Sequence, residues 1–255
     1  MTFPRIINQK DETTIKVGKQ YLVEKHELML DRMKCAGCGQ CSIVCPKDAI
    51  ILNNPNYILE NKGEDISKVV VREIDEEKCV YCGNCSYFCP FDAIHLYRDG
   101  IKVPPDELKL VTEKALPELE RGQIKCSHIK RDAIVYWDGE ISINYPQKDE
   151  KEEFLEYYQK VCPGECRNCE EICPTDAIVV RKPEEMGDKE ESPFDIDDCL
   201  CIKCGACAFA CPEGILDVDW KEINIKGAYN NIFWDPIRDR LLSQEATVHD
   251  KESEE

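Results

Sequence analysis

The spacing of the cysteines constrains this chain more than any other feature of its sequence. Eighteen of the 255 residues are cysteine, and sixteen of them fall into four runs that each end in Cys-Pro. Three runs have the pattern C-x2-C-x2-C-x3-C-P, and the fourth differs only in its first spacing. The runs begin at Cys35, Cys79, Cys162 and Cys201. Three thiols at this spacing wrap a tight loop around one side of a bound group, so the pattern predicts metal-binding loops.

Two other uses of cysteine compete with this interpretation. Disulfide scaffolds are typical of exported proteins, but Met1–Lys10 holds no apolar run of the kind found in signal peptides. No stretch of the sequence approaches the roughly 18 apolar residues of a membrane span. We therefore expect a cytoplasmic chain with no membrane span. Paired C-x2-C elements also suit tetrahedral zinc, but zinc sites rarely combine three evenly spaced cysteines with a terminal Cys-Pro.

The charge balance restricts the partners of the chain. It has 33 Lys and Arg against 51 Asp and Glu, which gives a formal net charge of -18. Nucleic acids and anionic membrane surfaces both attract Lys and Arg, so we expect neither as a partner. A protein with a basic docking face fits this charge better.

Each cysteine run lies within a repeat. An apolar lead precedes the run, with an aspartate four residues before the first cysteine in three copies, and an apolar tail follows Cys-Pro. The lead aspartates are Asp31, Asp75 and Asp197. One repeat is too small to bury a core, so the repeats should pair. The expected fold class is α+β, with two tandem modules that each hold two short antiparallel strand pairs and two short helices, a helical and strand insertion, and little regular secondary structure.

The repeats suggest four segments. These are residues 1–104 (an N-terminal lead and the first module), 105–160 (a bridging insertion with a degenerate half-repeat), 161–235 (the second module) and 236–255 (an acidic tail).

Three patterns occur within the bridge. Apolar residues between 106 and 121 recur at helical spacing and predict a helix with a break near Pro117. Residues 129–137 end like a repeat tail but lack Cys-Pro, and we interpret them as a decayed half-repeat. Residues 150–161 are charged and aromatic and predict a short helix.

The runs resemble those of bacterial-type 4Fe-4S ferredoxins, in which the last cysteine of each run binds the other cluster of the pair. That resemblance implies four 4Fe-4S clusters held by sixteen cysteines. Cluster 1 would take Cys35, Cys38, Cys41 and Cys89, and cluster 2 would take Cys79, Cys82, Cys85 and Cys45. Cluster 3 would take Cys162, Cys166, Cys169 and Cys211, and cluster 4 would take Cys201, Cys204, Cys207 and Cys173.

The loops also need particular backbone geometry. Gly39, Gly83 and Gly205 follow the second cysteine of their runs and allow a left-handed or closely approached backbone there. The third run departs from this pattern, because its first spacing is C-x3-C and Arg167 stands in place of the glycine. Pro163 occupies the position at which a cysteine is expected. We therefore expect an altered geometry at cluster 3, with a shifted potential or an easily lost iron.

Two cysteines lie outside the four runs. Cys199 is expected to be a free thiol, buried or half-buried. Cys126 is interpreted as the relic of a lost cluster loop, with a ligand to a partner's site as the alternative.

No catalytic motif accompanies the cysteine runs. The sequence contains no G-x-S-x-G, Walker loop or G-x-G-x-x-G. In a 4Fe-4S protein the cofactor carries the one-electron chemistry, while the polypeptide sets potential, solvent access and distance. We therefore expect an electron-transfer subunit without its own catalytic site, in which four clusters form a relay. The acidic composition predicts low reduction potentials.

Chains with several such modules resemble polyferredoxins, which are typical of methanogenic and related anaerobic archaea. Cys79–Gly83, Phe88–Ala93 and Cys162-Pro163 before Cys166 resemble more narrowly the polyferredoxins that belong to formylmethanofuran dehydrogenase. This resemblance implies a hetero-oligomeric complex in which the chain exchanges electrons with a metal-pterin dehydrogenase. A hydrogenase or a heterodisulfide reductase is the alternative partner. An enzyme that binds substrate at an altered cluster 3 is a further alternative of another class.

Overall fold

The chain folds as two compact units. The structure is a computed structural model, and it describes residues 3–52, 72–119, 123–125, 130–132, 137–145, 147, 162, 166–182, 192–223, 225 and 229–243. The first unit comprises Met1–Cys35, Gly39–Glu120 and Glu222–Glu255, and the second comprises Ala36–Cys38 and Arg121–Lys221.

The elements are short, as the α+β expectation implies. The strands are β1 (Arg5–Lys10), β2 (Thr14–Gln20), β3 (Lys25–Asp31), β4 (Ile50–Leu52), β5 (Arg72–Ile74), β6 (Ile94–Arg98), β7 (Ile101–Lys102), β8 (Gln123–Lys125), β9 (Lys130–Asp132), β10 (Trp137–Ile143), β11 (Ile178–Val180), β12 (Phe194–Ile196) and β13 (Leu216–Ile223). The α-helices are α1 (Gln40–Ile43), α2 (Asn84–Tyr87), α3 (Lys109–Thr112), α4 (Asn168–Glu171), α5 (Ala206–Ala210) and α6 (Trp234–Ser243).

The first unit has the two strand pairs expected of one module, together with three further strands. The expected pairs are β3 with β6 and β4 with β5, both antiparallel. Strands β1, β2 and β7 extend the first pair into a five-stranded sheet in the order β1-β2-β3-β6-β7. Ile15 and Val17 of β2 lie opposite Leu30 and Leu28 of β3, and all four are buried. Alternating apolar residues thus give this sheet a core of its own, which the sequence interpretation did not anticipate.

The predicted bridge helix is mostly wrong. Residues 105–119 form a 3₁₀ turn (Pro105–Glu107) and the four-residue helix α3, and the remainder is irregular. Their apolar residues nevertheless cover the first unit. Leu108, Leu116 and Leu119 are buried, and the Tyr87 hydroxyl donates to the Pro117 carbonyl at 2.8 Å. The helical spacing of the apolar residues correctly indicated that Leu108, Leu116 and Leu119 are buried, but it did not indicate the backbone conformation. Tertiary packing can bury such residues without a continuous helix.

Helix α6 spans the boundary expected at residue 235. Its Trp234, Ile237 and Leu241 are buried, and Trp234 stacks on Phe88 with ring centroids 6.0 Å apart. The segment up to Ser243 is therefore a packed helix of the first unit. The acidic residues that follow it lie outside the described residues.

The second unit pairs β11 with β12 and β10 with β13, alongside the hairpin β8–β9. One backbone hydrogen bond identifies β10 as the lead strand of the third repeat. Asp31, Asp75 and Asp197 each end a lead and donate their N–H to a tail carbonyl, that of Ala93, Ala49 and Ala177 respectively, at 2.7, 2.7 and 2.8 Å. Asn144 donates in the same way to Ile215 at 2.7 Å.

The interpretation of residues 129–137 as a decayed half-repeat stays a prediction, because residue 129 and residues 133–136 lie outside the described part of the chain. Residues 137–143 form the lead of the third repeat, separated from its cysteines by an insertion. The apolar alternation of Ile141 and Ile143 before Asn144 is the sequence signal that could have identified it. Residues 133–136 and the short helix expected at 150–161 lie outside the described residues.

Candidate metal centres

Left-handed residues shape the cysteine loops. Gly39, Gly83 and Gly205 have φ values of 83°, 85° and 79°, which confirms the backbone predicted for them. The residue before the second cysteine is also left-handed in these three loops, at Gly37, Tyr81 and Lys203. Two such residues on either side of a cysteine curve the chain tightly, so that the three thiols of a loop can face one interior point.

The cysteines gather into fours around cavities. A cavity of about 350 Å³ is lined by Cys45, Cys79, Cys82 and Cys85. A second, of about 330 Å³, is lined by Cys173, Cys201, Cys204 and Cys207, and a third, of about 270 Å³, is lined by Cys162, Cys166, Cys169 and Cys211. In each group three cysteines come from one run and the fourth comes from the Cys-Pro end of its paired run.

The remaining four cysteines are those expected at cluster 1. The thiols of Cys35 and Cys89 lie close enough to the Cys41 thiol to raise its pKa, so these three thiols are neighbours. Cys38 lies between them in sequence, flanked by the left-handed Gly37 and Gly39. Cys41 is buried, while Cys35, Cys38 and Cys89 are half-buried.

The donor set and the cavities fit a polynuclear iron-sulfur group. Cysteine thiolates are the protein ligands of 4Fe-4S clusters, and four cysteines line each of the three cavities. Within the described part of the chain, no three His, Cys, Asp or Glu side chains are close enough together to hold a single metal ion.

Burial keeps several of the cysteine thiols protonated. It is the main cause that raises the pKa of Cys41, Cys169 and Cys204 to about 12 and that of Cys79 and Cys207 to about 11, and neighbouring thiols contribute to these increases. Because the thiolate is the metal ligand, cluster binding must release these protons.

The Cys-Pro sulfurs accept backbone hydrogen bonds. The N–H groups of Ala49, Ala93 and Ala177 donate to the sulfurs of Cys45, Cys89 and Cys173 at 3.2, 3.3 and 3.2 Å. In each case the preceding aspartate is left-handed, with φ near 50°, which turns the alanine N–H back toward the sulfur. Such hydrogen bonds stabilise negative charge on sulfur and so contribute to the potential of a bound cluster.

The third loop has a different backbone at its second cysteine. Arg167 has φ -122° and ψ 19°, in contrast to the left-handed glycines of the other loops. Its Nε lies 3.3 Å from a carboxylate oxygen of Glu170. The expected departure at cluster 3 is therefore present at Arg167, while Pro163 lies outside the described residues.

Two arginines of the first unit were missed by the sequence interpretation. Arg240 of α6 donates to the carbonyl of Cys45 at 2.8 Å and to that of Ser42 at 3.3 Å, and it pairs with Asp48 at 2.9 Å. Arg72 of β5 is 2% exposed, and its charge acts on Cys41. No sequence motif identifies Arg240, because its hydrogen-bond partners lie almost 200 residues away in sequence.

The prediction of a free thiol at Cys199 is wrong. Cys199 is disulfide-bonded and exposed. Cys126 lies outside the described residues. None of the described helices is long and apolar enough to cross a membrane.

Comparison with known proteins supports two metal-binding domains. The 4Fe-4S dicluster domain family matches residues 34–93 and 161–215. An uncharacterized ferredoxin of Methanocaldococcus jannaschii is 43% identical over 54 residues, which is 20% of this chain and 30% of that protein. NADH-quinone oxidoreductase subunit I of Pelobacter propionicus is 32% identical over 73 residues, 27% of this chain and 39% of that protein. The chain thus spans well under half of each relative.

A solved structure matches nearly the whole chain. It is a chain of the formate dehydrogenase, heterodisulfide reductase and formylmethanofuran dehydrogenase complex from Methanospirillum hungatei. The TM-score is 0.70 at 22% identity, and the match covers 95% of this chain and 92% of that one. At this identity the match shows a shared fold. Residues 34–93 and 161–215 of the chain are thus two 4Fe-4S dicluster domains, and the chain shares its fold with a chain of that complex.

Proposed function

We propose that the chain relays single electrons through four 4Fe-4S clusters as a subunit of a redox enzyme complex, without a catalytic site of its own. The observation that carries this proposal is the grouping of cysteines from paired runs around shared cavities. The ligands are those that the ferredoxin resemblance assigns: Cys35, Cys38, Cys41 and Cys89; Cys79, Cys82, Cys85 and Cys45; Cys162, Cys166, Cys169 and Cys211; and Cys201, Cys204, Cys207 and Cys173.

The first test is cofactor content and redox activity. Four clusters of four irons require about sixteen irons and as much acid-labile sulfide per chain. Reduction with dithionite should produce EPR spectra of interacting reduced 4Fe-4S clusters. Zinc in place of iron, or about eight irons per chain, would contradict the four-cluster relay.

The ligand assignment has a sharper test in paired substitutions. Crossed ligation places Cys45 and Cys82 on the same cluster, so Cys45→Ser combined with Cys82→Ser should cost one cluster and leave about twelve irons. Cys45→Ser combined with Cys38→Ser should cost two clusters and leave about eight. If each run bound its own cluster, the two results would be exchanged. Cys199→Ser is the control and should leave iron unchanged.

The proposed partner is a formylmethanofuran dehydrogenase. The structural match to a chain of the Methanospirillum hungatei complex supports this choice, as do the sequence phrases around Cys79 and Cys162. In that setting the chain would supply low-potential electrons to a metal-pterin site. The same match names a heterodisulfide reductase, which with a hydrogenase is the second candidate.

Anoxic purification of the tagged chain from its native cells separates these partners. Copurification of a tungsten or molybdenum pterin subunit supports the dehydrogenase. A nickel subunit would identify a hydrogenase instead. A partner with neither metal but with heterodisulfide reductase activity would identify the third system.

A further inference from the structure

In three of the four repeats, the same position of the lead strand lines a cysteine-lined cavity. This residue lies three positions before the Asp or Asn that ends the lead. In the first repeat it is Leu28, which lines the cavity of Cys45, Cys79, Cys82 and Cys85. In the third it is Ile141, at the cavity of Cys173 and its partners, and in the fourth it is Phe194, at the cavity of Cys162 and its partners.

Arg72 occupies this position in the second repeat. It lies three residues before Asp75, as Phe194 lies three residues before Asp197. Arg72 pairs with Leu52 across β4 and β5, and Phe194 pairs with Val180 across β11 and β12, so the two positions have the same register. The repeat geometry therefore places Arg72 against cluster 1, where the other three repeats place an apolar side chain against their clusters.

The surroundings of Arg72 agree with this placement. Its side chain is 2% exposed, so its charge lies in the low-dielectric interior of the first unit. The Arg72 guanidinium lies within electrostatic range of the Cys41 thiol. Cys41 is a proposed ligand of cluster 1, so a fixed cation and a cluster ligand are neighbours in the same buried region.

We propose that Arg72 is a positioning residue that sets the reduction potential of cluster 1 above that of cluster 3, the equivalent cluster of the second module. This inference rests on the proposed function. On reduction the cluster takes one electron from the donor and gains one unit of negative charge, and no bond or proton need change. A fixed cation in a low-dielectric interior stabilises the more negative, reduced state. Phe194 offers cluster 3 no such charge.

The higher potential of cluster 1 has a consequence for where an electron resides. At equilibrium, an electron shared between these two clusters should reside on cluster 1 in preference to cluster 3.

The test is an EPR-monitored potentiometric titration of the full, cluster-loaded chain at fixed pH and salt. Arg72→Met removes the charge and keeps an unbranched side chain of similar length. We expect the reduction equilibrium constant of one cluster to fall at least tenfold, a shift of about 59 mV for one electron. The other clusters should change less than threefold. Arg98→Met, which removes an exposed arginine of the same unit that lines none of the described cavities, is the control and should leave every midpoint within threefold.

The affected cluster is identified with Cys89→Ser, which disrupts cluster 1. The midpoint that Arg72→Met shifts should be missing from Cys89→Ser. Persistence of that midpoint in Cys89→Ser would overturn the assignment. Unchanged midpoints in Arg72→Met at wild-type iron content, or an equal shift of all clusters, would overturn the inference while leaving the electron-transfer proposal intact. A wild-type chain without reducible clusters would instead overturn the proposed function.

Arg72→Lys separates the effect of the charge on the reduction potential from any effect of Arg72 on folding. It keeps the charge, so its midpoints should stay within threefold of the wild type, and this result supports the inference even if Arg72→Met fails to retain iron. A tenfold fall in Arg72→Lys would overturn it. Loss of iron in both variants would also overturn it, in favour of a role in folding alone.

Discussion

Single residues in the cysteine loops are constrained by both conformation and contact. Gly83 shows both constraints, since its backbone is left-handed and it packs against Leu108. A Cβ built on Gly83 would lie 2.4 Å from Cδ2 of Leu108, which is itself buried. Gly100 is left-handed as well, with φ 79°, but a Cβ there would meet nothing within 4 Å.

Alanine substitutions at Gly100 and Gly83 therefore distinguish backbone strain from steric collision with a neighbouring side chain. Gly100→Ala should lower the free energy of unfolding only by the cost of a left-handed alanine, roughly 1–2 kcal/mol. Gly83→Ala should lose more, because Leu108 must also move, and it should reduce the iron content at cluster 2. Urea unfolding followed by circular dichroism, together with iron analysis under anoxic conditions, measures both effects. Equal destabilisation by the two variants would show that Leu108 does not restrict this loop.

The sequence revealed the residues of the candidate sites better than the elements around them. Cysteine spacing and the glycines at 39, 83 and 205 reflect local geometry, which a short sequence pattern can encode. Asn144 was missed because an insertion separates it from the run that its strand serves. Arg72 and Arg240 were missed because their significance depends on contacts that only the folded chain creates.

At the level of elements, helix α6 supports the loop that contains Cys45 through Arg240, and we call this contact the brace. Arg240 extends from the helix to two carbonyls and one carboxylate around Cys45. Cys45 is the proposed ligand that closes cluster 2. The helix is held in place by its buried face, which includes Trp234 and Leu241. The brace therefore couples the packing of α6 to the loop that supplies the fourth ligand.

Removing this brace should loosen cluster 2. In Arg240→Gln, the hydrogen bonds to the Cys45 loop are lost or weakened, so iron should be extracted faster by an anaerobic chelator, and one cluster should account for the faster phase. Arg238→Gln is a matched control on the same helix, because Arg238 pairs with the helix's own Asp235 and Asp239. The two variants should differ several-fold in their initial rate of iron release. Identical rates would mean that Arg240 contributes nothing to cluster retention.

Across the whole molecule, the four proposed sites are similar in ligands but unequal in loop geometry. Three loops place left-handed residues on both sides of the second cysteine. The third loop has an additional residue before that cysteine, and Arg167 after it is not left-handed. Since a longer loop is less constrained, its thiols are less firmly held in the geometry that a cluster requires.

Cluster 3 should therefore be lost first when iron becomes limiting. During slow anaerobic chelation, the iron content should pause near twelve per chain before it falls further, which corresponds to the loss of one cluster from about sixteen irons. Cys162→Ser should begin near twelve irons and lack the first phase, whereas Cys201→Ser, its counterpart in the fourth run, should begin near twelve and retain it. A single phase in the wild type, or a first phase that survives in Cys162→Ser, would show that the altered third loop does not determine the order of cluster loss.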